Sequence, residues 1–472
     1  MQHIDKIYIN GEFVTPHGTE LFELFNPATE EVIGTVRMAD VEDTQRAIAA
    51  AKAAFPAWSC TTKQQRVEFL TRMHAAVVEC ENELLEAIIE EYGAPVARSS
   101  WMATYPADVI LQAIEALESF EFEEQAGAAQ VIYSPVGVAG LITPWNSDAG
   151  FICNKLATAL AAGCTAVIKP SEMSAMQTQI ITQALHKAGL PAGVFNIVTG
   201  RGDVVGAEIS RHPDIAKISF TGSTAVGKGI VESSAATLKR VTLELGGKSP
   251  TIILDDADAA TVVPMALMAG FGNSGQACIA GTRILVPQSR LSEFEQAFAF
   301  AVTYIKSGDP RDKSTDIGPM VSRKQWERVQ GYIRLGIEEG AKVLIGGEGR
   351  PQGFDKGWLV KPTIFTSANN QMRIAREEIF GPVLVIIPYL DEDDAIAIAN
   401  DTSYGLNAIV LSGDLQRGIS VARQIETGRV LVNTFAHEPK APFGGVKQSG
   451  LGREMGKWGL SAYLEPKTLL VG

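Results

Sequence analysis

From residue 136 onward the chain alternates short, wholly apolar runs with stretches of helical periodicity, and no other feature narrows its fold so much. A strand that is apolar at every position has both faces buried. That requires helices on both sides of a mostly parallel sheet. Residues 136–143, 166–169, 195–198, 218–220 and 241–244 read as such strands, separated by helical patterns at 156–162, 176–188 and 222–233. This is a Rossmann-like unit. The alternation then starts afresh, with strands at 251–254 and 283–286 and helices at 259–271 and 291–304. A second α/β domain therefore begins near Lys248 and continues past Phe380, and a cleft between two such units is a common ligand site.

The 472 residues are more than one hydrophobic core organises. Ahead of the first α/β unit, residues 8–14 and 31–36 read as short strands separated by the turn-rich Asn26-Pro27-Ala28-Thr29. Between residues 41 and 92, apolar positions such as Val67, Leu70, Met73 and Val77 recur every three or four residues, which predicts helices. Strand-like segments at 130–133 and 461–470 fall outside both units and predict a small sheet suited to edge pairing with another subunit. The expected α/β architecture is thus a Rossmann-like cofactor domain (1–116 and 136–246), a second α/β catalytic domain (247–446), oligomerisation elements (117–135 and 460–472) and a connecting segment (447–459).

A formal charge of −13, with 41 Lys and Arg against 54 Asp and Glu, and no basic stripe, argues against nucleic acid as a partner. Residues 1–15 lack a basic region followed by an apolar one, and the apolar runs break well short of the roughly 20 residues a membrane span needs. The expectation is a cytoplasmic protein without membrane association. Five cysteines, at 60, 80, 153, 164 and 278, show no CxxC spacing, and the six histidines do not cluster with them. Neither a metal site nor a disulfide framework is expected.

Several residues are placed where chemistry is done. Cys278 follows the glycine-bracketed turn Gly272-Asn273-Ser274-Gly275, which can project a thiol into a cleft, although lone cysteines are usually core residues. Glu244 closes a strand before a glycine pair and could act as a general base at a sheet's carboxyl edge, or merely pair with Lys248. Asn146, after Thr143-Pro144-Trp145, is either a turn former or an amide donor to a developing oxyanion. Gly222 and Ser223 join a strand to a helix in a way that suits a phosphate, but without a GxGxxG pattern. Lys169 and Glu172 offer a cation and a carboxylate to ribose hydroxyls.

Taken together, these segments resemble the aldehyde dehydrogenase superfamily over nearly the whole chain. The resemblance is carried in order by Tyr8-Ile9-Asn10-Gly11, Asn26-Pro27-Ala28-Thr29, Pro144-Trp145-Asn146, Lys169-Pro170-Ser171-Glu172 and Phe220-Thr221-Gly222-Ser223. It continues through Leu243-Glu244-Leu245-Gly246-Gly247-Lys248-Ser249-Pro250, Gly275-Gln276-Ala277-Cys278, Glu377-Glu378-Ile379-Phe380-Gly381-Pro382 and Pro442-Phe443-Gly444-Gly445. The resemblance implies oxidation of an aldehyde to a carboxylic acid through a cysteine thioester, with Cys278 as nucleophile, Glu244 as base and Asn146 as oxyanion donor. It also implies that Lys169 and Glu172 hold the adenosine ribose, Ser223 the pyrophosphate, and Glu378 and Phe380 the nicotinamide ribose and ring, with Trp145 bordering them. NAD is expected over NADP because Glu172 would repel a 2′-phosphate, and a homodimer or homotetramer is expected.

Two competing readings are a CoA-acylating enzyme, against which a poised Glu244 argues, and a non-catalytic protein on the same scaffold. Relatives often carry an aromatic residue directly after the active-site Asn, whereas this chain has Ser147-Asp148-Ala149-Gly150-Phe151. Asp148, Phe151, Phe435 and His437 are therefore the candidate pocket residues. Asp148 and His437, with Glu438, suggest a more polar pocket, or one for a hydroxylated or cationic aldehyde, although Asp148 could equally cap a helix and His437 face solvent, and Phe151 and Phe435 could keep one side apolar.

Overall fold

A computed structural model describes residues 1–471 and organises them around two large sheets. At the centre of the first sheet lie five parallel strands, in spatial order Arg240–Glu244, Ile215–Thr221, Val138–Ile142, Thr165–Lys169 and Phe195–Ile197. Successive residues in them enter different cores. Leu141 and Ile168 pack with Leu156 of the helix Asp148–Ala162, whereas Ile142 and Val167 pack with Ile48 of the helix Val41–Ser59. This two-sided burial is why the strands read as unbroken apolar runs. Each such fully buried side chain contributes about 1.5–3 kcal/mol.

The chain leaves Val138–Ile142 towards one flank of the sheet and returns beside it, on the other flank, as Ile215–Thr221. Connections diverge at that reversal, which opens a crevice at the carboxyl ends of the two strands. Pro144, Trp145 and Asn146 extend from one strand end, and Gly222 and Ser223 from the other.

The second sheet runs in the order Lys342–Ile345, Thr363–Thr366, Val383–Tyr389, Arg283–Pro287, Pro250–Ile253, Asn407–Leu411 and Arg429–Val432. Every neighbouring pair is parallel except the first. Residues 245–249 join the carboxyl end of Arg240–Glu244 to the amino end of Pro250–Ile253. The carboxyl edge of one sheet is thereby tied to the amino edge of the other. Cys278 lies at that amino edge, in the loop between the helix Ala259–Phe271 and the strand Arg283–Pro287.

Some sequence expectations need correction. Residues 8–14 are not one strand but a hairpin, Ile7–Ile9 with Glu12–Val14, turned by Asn10 and Gly11 at φ 54° and 84°. Asn-Gly is the residue pair that tolerates positive φ at both central positions of a two-residue turn. The strand Glu31–Arg37 pairs with Leu21–Asn26, a strand the sequence did not predict, and with Gln2–Ile4. The small sheet outside both units has three strands, not two: Glu123–Ala126, Ala129–Pro135 and Leu464–Leu469. The segment 447–459 is more than a connector, because its Gly450–Leu451 adds an antiparallel strand beside Arg240–Glu244.

Candidate active site

Asn146 reaches from the first sheet to the cysteine loop. Its side-chain amide donates to the Gln276 carbonyl at 3.0 Å, and the Asn273 amide donates to the same oxygen at 3.1 Å. The loop itself is strained, since Asn273, Ser274 and Gly275 are successive left-handed residues with φ of 56°, 56° and 71°. A non-glycine residue there costs about 1–2 kcal/mol, so the fold must impose the conformation. It does so through side chains. Ser274 Oγ accepts from the Gly318 N–H at 2.9 Å, and Gln276 Oε1 accepts from the Val321 N–H at 3.0 Å. A Cβ on Gly275 would sit 2.2 Å from the Gly381 carbonyl oxygen, so only glycine fits.

A cavity of about 490 Å³ opens in front of this loop, and Asn146, Glu244 and Cys278 all border it. Trp145, Gly222, Ser223, Glu378 and Phe380 form further parts of its wall, and Phe151 does so as well. The Phe380 ring stands edge-on to Trp145, with centroids 5.4 Å apart. Glu378 accepts from the Gly247 N–H at 3.0 Å. The glycine pair after Glu244 is required by close approach: a Cβ on Gly246 would lie 2.5 Å from the Glu378 carboxylate, and one on Gly247 would lie 2.4 Å from the Cys278 carbonyl oxygen.

Charge is unevenly satisfied around the cavity. Burial pushes the Cys278 thiol up to about 12, the Glu378 and Glu244 carboxylates add to that, and the Arg429 guanidinium pulls the other way. Neither carboxylate oxygen of buried Glu244 has a hydrogen-bond partner. Burial, and then the neighbouring Glu454, hold its carboxyl well above the usual range. Glu454 by contrast is saturated, bonded to Lys155 Nζ, to Ser219 Oγ at 2.8 Å and to Asn154 Nδ2 at 3.4 Å. Lys248 is no partner of Glu244, since its buried Nζ is also unpartnered and burial lowers it to about 7.

Lys169 Nζ donates to Glu172 at 3.0 Å and to the Pro170 carbonyl at 2.8 Å, beside the cavity rather than in its wall, where the adjacent Met173 stands. Asp148 must be removed from the pocket. It is completely buried, and its carboxylate accepts from the hydroxyls of Thr143 at 2.6 Å and Thr178 at 2.9 Å. His437 is exposed and Phe435 is half-buried against the core of the second sheet, and neither borders this cavity. Among the described residues, no group of three or more His, Cys, Asp or Glu is placed to hold a metal ion. No described helix is long and apolar enough to cross a membrane.

Sequence reasoning missed Asn273, Lys155, Glu454 and Arg429. Asn273 stands within the segment that drew attention to Cys278, so its turn position was a usable signal. Nothing local marks Lys155 or Glu454, which are almost 300 residues apart in the chain and meet only in three dimensions.

A thiol, an amide donor and an unpaired carboxylate thus share one cavity with a helix N-terminus, on an α/β scaffold of the doubly wound, nucleotide-binding class. The profile of the Aldehyde dehydrogenase family matches residues 13–469, and the chain belongs to that family. It is 46% identical to a 3-succinoylsemialdehyde-pyridine dehydrogenase of a Pseudomonas species, over 100% of this chain and 99% of the relative. Among solved structures, a variant of aldehyde dehydrogenase C from Pseudomonas syringae, complexed with NAD+ and octanal, superimposes with a TM-score of 0.97 at 45% identity, covering 99% of this chain and 96% of that one. An aldehyde dehydrogenase from Mycobacterium tuberculosis, complexed with NAD+, gives a TM-score of 0.97 at 40% identity, covering 100% and 99%.

Proposed function

We propose that this aldehyde dehydrogenase uses NAD to convert an aldehyde to a carboxylic acid, with Cys278, Asn146 and Glu244 as its catalytic residues. The single observation that carries this reading is their convergence on one cavity from three distant parts of the chain. The Cys278 thiol gives up its proton to solvent water entering the cavity, and the thiolate sulfur attacks the aldehyde carbon. The Asn146 amide, which now spends a hydrogen on the Gln276 carbonyl, has a second N–H for the oxyanion that forms, and the Cys278 backbone N–H is the companion donor. The nicotinamide, when bound, accepts the hydride that leaves this carbon. A thioester on Cys278 remains. Glu244, with both oxygens free of protein partners, takes a proton from the water that hydrolyses it, which supports water rather than CoA as the acyl acceptor.

The residues present fit the cofactor. Ser223 caps the helix Thr224–Ser234, whose first N–H groups suit an anion such as a pyrophosphate, and the buried Thr221 hydroxyl in the cavity wall has no protein partner. Glu378 and Phe380 would hold the nicotinamide riboside, and the pair Lys169 and Glu172 the adenosine ribose. The Glu172 carboxylate favours NAD over NADP by repelling a 2′-phosphate. The labour divides between a cofactor domain (1–116 and 136–246) and a catalytic domain (247–446). The mostly exposed strands Glu123–Ala126 and Leu464–Leu469 leave edges for a second copy of the chain, in a homodimer or homotetramer. Unpaired Cys80, Cys153 and Cys164 suit a reducing compartment, and the cytoplasm is the proposed location.

An aldehyde panel followed by NADH absorbance tests the reading. Cys278→Ala is expected to bring turnover to background while NADH still binds. Full activity in that variant would reject covalent catalysis.

A further inference from the structure

Arg429 stands at the start of Arg429–Val432, the edge strand of the second sheet. Its Nε donates to Asn407 Oδ1 at 2.8 Å, while the amide of the same Asn407 donates to the Ile279 carbonyl at 3.1 Å. One side chain thus clamps the guanidinium to the residue that follows Cys278. The guanidinium also lies over the Phe443 ring, 5.5 Å from its centroid.

What is missing is a counter-charge. Among the described residues no carboxylate pairs with Arg429, although the group is substantially withdrawn from water, and that withdrawal lowers its pKa. Its two terminal nitrogens make no hydrogen bond within the protein and are not sealed from solvent. Arg429 is absent from the wall of the cavity that holds the cofactor residues, yet its charge reaches Cys278. It lies outside that wall, and the Asn407 clamp to the Ile279 carbonyl sets it beside the cysteine loop. Phe443 and Gly444 accompany it there, and Gly444 lies so close to Glu244 that a Cβ would meet the carboxylate at 2.6 Å.

Resting on the reading of Cys278 as the nucleophile, we propose that Arg429 selects the substrate: it binds an acceptor oxygen, of a carboxylate or a ketone, carried by the aldehyde a short carbon chain away from the reacting carbonyl. A guanidinium fixed through Nε presents its terminal N–H groups as a planar fork, which matches such oxygens better than any apolar tail. The same unpaired cation disfavours the cationic aldehyde that the sequence had left open.

Three aldehydes of similar length separate the cases: succinic semialdehyde carries a carboxylate, levulinaldehyde a ketone, and pentanal neither. The wild type is expected to favour at least one of the first two over pentanal in kcat/KM by about 10- to 100-fold, mainly through KM, the size of one charge-assisted hydrogen bond. Preference for both marks a neutral acceptor as sufficient; preference for succinic semialdehyde alone marks a carboxylate. Arg429→Met is expected to erase the preference, and Arg429→Lys to retain part of it. A wild type that handles pentanal as well as the other two, or a preference untouched in Arg429→Met, would overturn the proposal.

A second measurement needs no turnover, so it separates failure of this proposal from failure of the dehydrogenase reading. Peptide mass analysis gives the alkylation rates of Cys278 by iodoacetate and by iodoacetamide, with exposed Cys60 as the internal reference. The iodoacetate-to-iodoacetamide ratio at Cys278 is expected to exceed that at Cys60 by about tenfold, and to fall to the Cys60 value in Arg429→Met. Equal ratios at the two cysteines of the wild type would overturn recognition of a carboxylate, even in a protein that oxidises aldehydes, and together with no preference for levulinaldehyde over pentanal would overturn the whole proposal. This wild-type comparison stands whether or not the variant folds.

Discussion

The two sides of Cys278 are built in opposite ways. Towards Asn146 several side chains tie the cysteine loop down: the Asn146 and Asn273 amides share the Gln276 carbonyl, and Ser274 and Gln276 bind the backbone of residues 318 and 321. Towards Glu244 the polar group that matters has none, although a saturated cluster of Lys155, Ser219 and Glu454 lies next to it. The difference matches the roles proposed for the two sides. An oxyanion donor works by being already in place, so its position is over-determined. A base must exchange a proton and meet a water, so its oxygens are kept free while burial raises its proton affinity.

The largest effect expected from breaking this arrangement comes from Glu244→Gln. Steady-state turnover should fall about 10²- to 10⁴-fold, the worth of a positioned base. Acylation should be spared, which leaves a burst of NADH close to the number of active sites. A rapid-mixing trace with no burst and an equal loss in both phases would put Glu244 on the acylation side as well. Asn146→Ala comes next, with about 10²- to 10³-fold lost from the acylation step and no burst. If only KM changed, the over-determined side would be a binding surface rather than an oxyanion site.

The contrast also explains what the sequence could disclose. Strands such as Thr165–Lys169 are legible because burial on both faces leaves an apolar run, and the helix Ala259–Phe271 is legible at its observed limits because the capping Asp258 and the glycine at 272 bracket an apolar stretch too long for a strand. Leu21–Asn26 lacks that signature because it is only partly buried, and Asn10-Gly11 turns what the sequence presents as a single strand. Cys278, Glu244 and Asn146 were each ambiguous from local context, and they became a constellation only through the ordered motifs of a family. Asp148 has two readings in the sequence, a pocket carboxylate or a helix cap, and the structure shows neither, because two threonine hydroxyls make a buried carboxylate acceptable there. Arg429 and Glu454 leave no local trace, since what matters about each is which charges surround it.

The smallest expected effect is also the most specific. Burial accounts for most of the elevation at Glu244, and the negative charge of Glu454 for the next part. Glu454→Gln removes that charge while keeping an acceptor for Ser219. With the repulsion gone, Glu244 ionises more readily, so the rise of the hydrolysis rate with pH should move to lower pH, by about one unit or less. The positive charge of Lys155 acts on Glu244 in the opposite direction, so Lys155→Met should move the profile to higher pH. Rates of thioester hydrolysis after a burst, measured across pH, would show the two displacements. Shifts of the same sign in both variants would mean that the cluster holds Glu244 by packing and not by charge.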